Sequence, residues 1–186
     1  VNELQRCIID LFDQRYNPKY IYNTCVLFKE FRTKYKQFSG FHQHDSHEAF
    51  MCLIENLPSL LQKVFNGVLQ QSVQCESCNH VNFKKESINT LILDTNINFI
   101  ESLKDYFAES SIENYKCDHC NNNISAKMRR VLVECPQVLV IKSNSKCPET
   151  LLAIDHLNFE LYAIIHYTGN SRCGHYTSSV KMYEEW

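Results

Sequence analysis

Cys75-Glu76-Ser77-Cys78 and Cys117-Asp118-His119-Cys120 are two knuckles of one kind, each a pair of thiols with two residues between them, set apart by residues 79–116. Four thiols so arranged can close a tetrahedral shell around zinc, because each short loop lets two sulfurs converge on one ion without straining the backbone. Cys75, Cys78, Cys117 and Cys120 are therefore the expected ligands of one structural zinc ion that clamps two distant segments together. The plain alternative is four buried thiols, since a free cysteine packs like a small apolar side chain. The separation exceeds that of a compact zinc ribbon, which predicts knuckles at the tips of long strands with a helix inserted between them. His80 and His119 adjoin the knuckles and read as bystanders.

Outward from the first knuckle, Val68, Gln70, Ser72 and Gln74 alternate with Leu69, Gln71 and Val73, a period of two that predicts a strand from Gly67. A second strand should leave near Val81 to Phe83. Helical spacing returns from Phe99 to Phe107 through Ile100, Leu103, Tyr106 and Phe107. Beyond the second knuckle, Met128 to Val133, Val138 to Ile141, Leu157 to Tyr167 and His175 to Val180 all read as strands. The last two are joined by a hairpin loop over residues 168–174.

The first third of the chain is helical by the same test. Leu4, Ile8, Leu11 and Phe12 recur at helical spacing behind Asn2, a suitable N-cap, and Pro18 ends that region. A second helix is predicted from about Thr24 to Tyr35 with Leu27, Phe28, Phe31 and Tyr35 on its inner face. A third starts near Asp45 or Ser46 and turns Phe50, Leu53, Ile54 and Leu57 inward before Pro58. Helices first and strands later predict an α+β architecture.

The chain has 186 residues, 44% of them hydrophobic and 12% aromatic, with only four Gly and four Pro. This is the composition of a folded domain able to bury a core. A net charge of −2 offers no clustered cation surface for phosphates and disfavours a zinc-ribbon nucleic-acid binder. No apolar run approaches the roughly twenty residues of a membrane span. Four of the ten cysteines fall in metal-type pairs and no stretch reads as a signal peptide, so a reducing cytoplasmic or nuclear setting is expected.

Two further boxes accompany the knuckles. One is Phe38-Ser39-Gly40-Phe41-His42-Gln43-His44-Asp45-Ser46-His47-Glu48-Ala49-Phe50; the other joins Phe159-Glu160-Leu161-Tyr162-Ala163-Ile164-Ile165-His166-Tyr167 to Cys173-Gly174-His175-Tyr176-Thr177. In this order the boxes resemble the ubiquitin-specific protease family. Its pattern runs Phe-Ser-Gly-Tyr-x-Gln-x-Asp-x-x-Glu-Phe, two Cys-x-x-Cys knuckles, Tyr-x-Leu-x-Ala-Val-x-x-His, then Gly-His-Tyr. Ala49, and Val140-Ile141-Lys142-Ser143 where the family has Leu-Lys-Arg-Phe, depart from it.

The resemblance implies a papain-like cysteine protease hand, incomplete here: helical thumb in residues 1–65, zinc-stapled β fingers in 66–135 and β palm with the histidine box in 136–186. It implies His175 as general base of a Cys-His-Asp/Asn triad, taking a thiol proton so that the thiolate can attack an isopeptide carbonyl. Gly174 leaves room for a narrow substrate tail beside Tyr176. Gln43 and Asp45 are implied as ubiquitin-binding, Asp45 by holding the basic ubiquitin tail. Locally, Asp45 suits a helix N-cap equally well, and both roles are compatible. His166 matches a common family residue in the preceding strand and reads as structural.

The nucleophile is harder to place. Asn23-Thr24-Cys25 resembles the family's Gly-Asn-Thr-Cys-aromatic segment, yet no Gly precedes Asn23 and Val26 replaces the aromatic. Residues 26–44 leave room for about one helix where the family has a helical lobe. The expectation is a nucleophile upstream of Val1, with Trp186 matching the family residue that precedes the orienting Asp or Asn. The expected function is that of a deubiquitinase acting on ubiquitinated proteins, with ubiquitin as partner and neither nucleic acid nor membrane. The alternative is a non-catalytic ubiquitin-binding scaffold.

Overall fold

The computed structural model describes residues 2–14, 23–40, 42–93, 97–147, 152–154, 157–170 and 173–181. The expectations for Pro18, Phe41 and Trp186 lie outside them. Two compact units emerge, one of Val1–Gln62 with Glu160–Trp186, the other of Lys63–Phe159.

In the first unit, α1 (Glu3–Gln14) is opened by a reciprocal cap. The Gln5 N–H donates to Asn2 Oδ1 at 2.8 Å and the Asn2 N–H donates back to Gln5 Oε1 at 3.1 Å, which satisfies two of the helix's orphan donors. Leu4, Cys7 and Ile8 are buried. Helix α2 (Thr24–Lys34) is capped by Asn23, whose side chain accepts from the Cys25 N–H at 2.9 Å. Phe31 is buried between the rings of Tyr35 and Phe38, both 5.1 Å away.

Phe28 corrects the predicted inner face, for it is 57% exposed. It lies about 100° round the helix from Leu27, at the edge of the stripe that Leu27, Phe31 and Tyr35 define. A short 3-10 turn (Lys36–Phe38) leads towards α3 (Ser46–Ile54), which is capped by Asp45. Pro58 both ends that region and starts α4 (Ser59–Phe65), its carbonyl accepting from the N–H groups of Leu61 and Gln62 at 2.8 and 3.1 Å. Asn56 joins α2 to the end of α3. It is fully buried, accepts from Lys34 Nζ at 2.5 Å, and donates to the Tyr35 hydroxyl and the Cys52 carbonyl, each at 2.6 Å. A buried amide is tolerable only with its bonds made, so this network fixes the two helices in one register.

In the second unit β1 (Gly67–Cys75) and β2 (Val81–Ile88) form an antiparallel hairpin. Then come β3 (Leu91–Ile92), α5 (Phe99–Phe107), β4 (Ser110–Lys116) and β5 (Asn123–Glu134). The four long strands make one antiparallel sheet in the order β2-β1-β5-β4. Strand β6 (Ile141–Lys142) runs parallel to β3, and β7 (Leu152–Ile154) pairs with β8 (Leu157–Phe159). Leu91, Leu93, Phe99, Leu103 and Ile154 form the core, with Ile88, Leu139 and Ile141 packed on it. The inner face of α5 is thus the one its spacing predicts.

Three strand expectations change. The strand predicted over Val138 to Ile141 is realised only at its end, in β6. The run from Leu157 to Tyr167 breaks at residues 160–162, between β8 and the strand that follows. Strand β4 was not expected, because a bulge between Ile112 and Tyr115, with Asn114 at φ 56°, interrupts its alternation.

The chain returns to the first unit in β9 (Ala163–Gly169) and β10 (Gly174–Val180), an antiparallel pair that sets His175 opposite Thr168 and Tyr176 opposite Tyr167.

Candidate functional site

The second unit gathers the two knuckles at one end of its sheet. Strand β1 ends at Cys75, opposite Ala126 of β5, while the β4–β5 hairpin carries Cys117 and Cys120 at its tip. The knuckles fold identically. The Asn79 N–H donates to the Cys75 carbonyl at 2.9 Å and the Asn121 N–H to the Cys117 carbonyl at 2.8 Å. Each asparagine follows the second cysteine of its knuckle in the left-handed region, at φ 57° and 56°. Asparagine enters that region more cheaply than most residues, so Cys-x-x-Cys-Asn is a signal the sequence carried twice and which went unused. Asn122 Nδ2 donates to Ser77 Oγ at 3.1 Å and ties one knuckle to the other.

The four sulfurs of Cys75, Cys78, Cys117 and Cys120 lie within 4.8 Å of one another. Cys75 and Cys120 are 3.8 Å apart, and Cys78 and Cys117 3.7 Å. A tetrahedral zinc site with Zn–S of about 2.3 Å requires edges of roughly 3.8 Å, so the donor set fits the ion in both chemistry and size. Electrostatics agree. The N–H groups of Cys120 and His119 hold the Cys117 thiol at about 7, against the desolvation that opposes its charge. The N–H of His80 favours the Cys78 thiolate, but burial and the hydrogen bonds shared with Cys120, Cys117 and Cys75 push that thiol up to about 12. A thiolate at Cys117 is favoured and one at Cys78 is resisted, a resistance that a cation among the four sulfurs would relieve. His80 and His119 stack on each other, centroids 4.8 Å apart and planes within 10°, and neither belongs to the sulfur cluster.

The first unit holds the other predicted residues. Gln43, His44 and Asp45 precede α3 outside any helix or strand. His44 turns inward, its ring edge-to-face with Phe38 at a centroid distance of 5.0 Å, while Gln43 and Asp45 on either side are exposed. Asp45 Oδ1 accepts from the His47 N–H at 2.7 Å, which realises the N-cap. Gln43 Nε2 donates to the Gly174 carbonyl, across 131 residues of sequence. The predicted boxes therefore meet at one hydrogen bond.

Around it, the room that Gly174 was expected to leave for a substrate tail is taken by the Tyr167 ring. A Cβ at position 174 would lie 2.5 Å from three atoms of the Tyr167 ring. The Tyr167 hydroxyl donates to the Asn170 carbonyl at 2.5 Å and stands 3.4 Å from Gln43 Oε1, and its ring packs on Tyr176 at 4.8 Å. Asn170 closes the turn, exchanging bonds of 2.8 and 3.0 Å with the backbone of Cys173. His175 is exposed on β10, and among the described residues no thiol hydrogen-bonds to its ring. His166 is tied to Ser179 Oγ by Nε2 at 3.0 Å, a structural bond as expected. Cys25 is exposed in the first turn of α2.

Residues 1–186 match the family model described as ubiquitin carboxyl-terminal hydrolase. The chain belongs to that family. It is 26% identical over 193 residues to ubiquitin carboxyl-terminal hydrolase 23 of Arabidopsis thaliana, covering 78% of this chain and 22% of the relative. It is 29% identical over 131 residues to ubiquitin carboxyl-terminal hydrolase 36 of Drosophila sechellia, covering 63% of this chain and 12% of the relative. Its fold is similar to that of the yeast SAGA DUB module, with a TM-score of 0.75 at 17% identity over 98% of this chain and 51% of that one. It is equally similar to an Ubp8-containing SAGA DUB module bound to monoubiquitin, with a TM-score of 0.75 at 20% identity over 86% of this chain and 46% of that one. The mixed helix-and-sheet fold is thus that of a ubiquitin-specific protease catalytic domain. The chain spans about half the length of the solved chains and less than a quarter of the curated relatives. Among the described residues no helix is long and apolar enough to cross a membrane.

Proposed function

We propose that these residues form part of a cysteine-dependent deubiquitinase that cleaves the bond after the C-terminal glycine of ubiquitin in protein conjugates. The observation that supports it most is the meeting of the Gln-x-Asp box with the Gly-His-Tyr hairpin through Gln43 and Gly174. His175 acts as general base and takes the proton of a thiol. The thiolate attacks the glycine carbonyl carbon, the substrate amine leaves with the proton returned by the imidazolium, and water then hydrolyses the thioester. Asp45 holds the basic tail of ubiquitin by charge, its carboxylate fixed at the head of α3, while Gly174 and Tyr176 border the tail beside His175. Gln43 lies between these two groups.

The nucleophile is placed outside residues 1–186 rather than at Cys25, since no Gly precedes Asn23 and Val26 replaces the aromatic of the family's segment. Residues 1–65 serve as thumb, 66–135 as fingers and 136–186 as palm. One zinc ion bound by Cys75, Cys78, Cys117 and Cys120 supplies rigidity and takes no part in the chemistry. The partners are ubiquitin and ubiquitinated proteins, in the cytoplasm or nucleus.

Ubiquitin carrying a thiol-reactive C-terminus tests the reading in the full protein. Labelling of one cysteine outside this stretch, slowed on the order of 10⁴-fold or more by His175→Ala, is the expected result. Labelling at Cys25 overturns the assignment of the thiol. Among the described residues no thiol hydrogen-bonds to His175, and a second reading is a ubiquitin-binding scaffold without catalysis. That reading predicts ubiquitin binding with no labelling at all.

A further inference from the structure

His175 is one exposed residue on a two-stranded ribbon, and a ribbon of that kind is marginal on its own. A general base must nevertheless point its ring within a narrow range of directions, since a misplacement of about 1 Å can cost on the order of a hundredfold in rate. The residues that hold its two neighbours are therefore the ones that decide its aim.

Both neighbours are held by Tyr167, and Gly174 also by Gln43. On the N-terminal side, the Gly174 carbonyl accepts from Gln43 Nε2, and the Tyr167 ring fills the space where a Cβ at 174 would sit, 2.5 Å from its nearest atoms. On the C-terminal side, the Tyr176 ring packs on that same Tyr167 ring at 4.8 Å. Tyr167 is itself fixed by its hydroxyl bond to the Asn170 carbonyl, and that hydroxyl stands 3.4 Å from the other atom of the Gln43 amide. Gln43 and Tyr167 thus close a clamp over residues 174–176. One of the two Gln43 N–H donors is thereby committed to the hairpin.

We infer that Gln43 and Tyr167 are positioning residues that set the direction of the His175 imidazole by holding the Gly174 backbone on one side of it and the Tyr176 ring on the other, and that Gln43 contributes to turnover rather than to ubiquitin affinity. The inference rests on the proposed role of His175. Neither clamp residue touches the reacting atoms.

The test uses the full protein with a fluorogenic ubiquitin amide and, separately, ubiquitin binding by calorimetry. Gln43→Ala should lower kcat by about tenfold to a hundredfold and leave the Kd for ubiquitin within about twofold. Tyr167→Phe keeps the ring against Gly174 and Tyr176, and should cost less than Gln43→Ala. The two together should cost less than the product of the separate losses, because both act through one backbone segment. A raised Kd or KM with kcat unchanged overturns the inference and makes Gln43 a direct contact of the tail. No change in either constant also overturns it. If the unmodified protein proves inactive, the proposed catalytic reading fails instead, and NMR still decides the clamp. Increased motion of the 174–176 amides and the His175 ring in Gln43→Ala supports it, and unchanged relaxation refutes it.

Discussion

The sulfur clip of the second unit and the histidine hairpin of the first are assembled in opposite ways. Each knuckle is complete within five residues: two thiols, a turn, and an asparagine in the left-handed region that closes it. The sheet has only to bring two finished pieces to one end. The hairpin is incomplete by itself, and its central carbonyl is satisfied by a glutamine 131 residues away. A clip built from local parts announces itself in spacing. A site built from distant parts announces only its components.

The comparison can be broken most forcefully at the clip. Cys117→Ser should abolish metal binding and lower the stability of the second unit by several kcal/mol, because metal affinity is folding free energy where the site organises the chain. Metal analysis of the unmodified protein should return one zinc per chain, and thermal unfolding with and without a chelator should reproduce the loss. A metal-free preparation with unchanged unfolding would show that the sheet alone sets the knuckles.

At the hairpin the effect should be smaller and confined. Gly174→Ala places a methyl group 2.5 Å from the Tyr167 ring and should destabilise the β9–β10 ribbon by about 1–3 kcal/mol. Hydrogen exchange should quicken in residues 163–169 and 174–180 while the four-stranded sheet is unaffected. Pairing the change with Tyr167→Ala should relieve much of the strain, and a loss undiminished in the pair would refute the contact as its cause.

The smallest effect on stability separates two roles of one carboxylate. Asp45→Asn retains an N-cap acceptor for His47 and should alter stability by only a few tenths of a kcal/mol. It removes the charge, and binding of ubiquitin should weaken by about tenfold if Asp45 holds a cationic tail. Equal affinity would leave Asp45 as a cap alone.

These contrasts follow what the sequence made legible. The spacing of Leu4 and Ile8, of Leu27 and Phe31, and of Phe99 and Leu103 located three helices and their buried faces, because a 3.6-residue period survives in any context. Strand β1 and both knuckles were equally plain. Phe28 was misjudged because a residue at the edge of a stripe is buried only if a neighbour covers it. Strand β4 escaped because a bulge resets the alternation on which strand recognition rests. The Asp45 cap could be read from its place before α3. The Gln43–Gly174 bond could not, since no local pattern encodes which carbonyl a distant amide will meet.

The short parallel pairing of Leu91–Ile92 with Ile141–Lys142 carries one more consequence. It places the exit and the re-entry of the chain side by side at the core, so α5, β4 and β5 form a closed excursion with fixed take-off and landing points. Loop entropy grows slowly, about 0.6 kcal/mol for each doubling of length, so residues added in the connecting loops of such an excursion cost little. Evolution can lengthen those loops cheaply, while the packed face of α5, the β1–β5 register and the tip that brings Cys117 and Cys120 opposite Cys75 and Cys78 stay fixed.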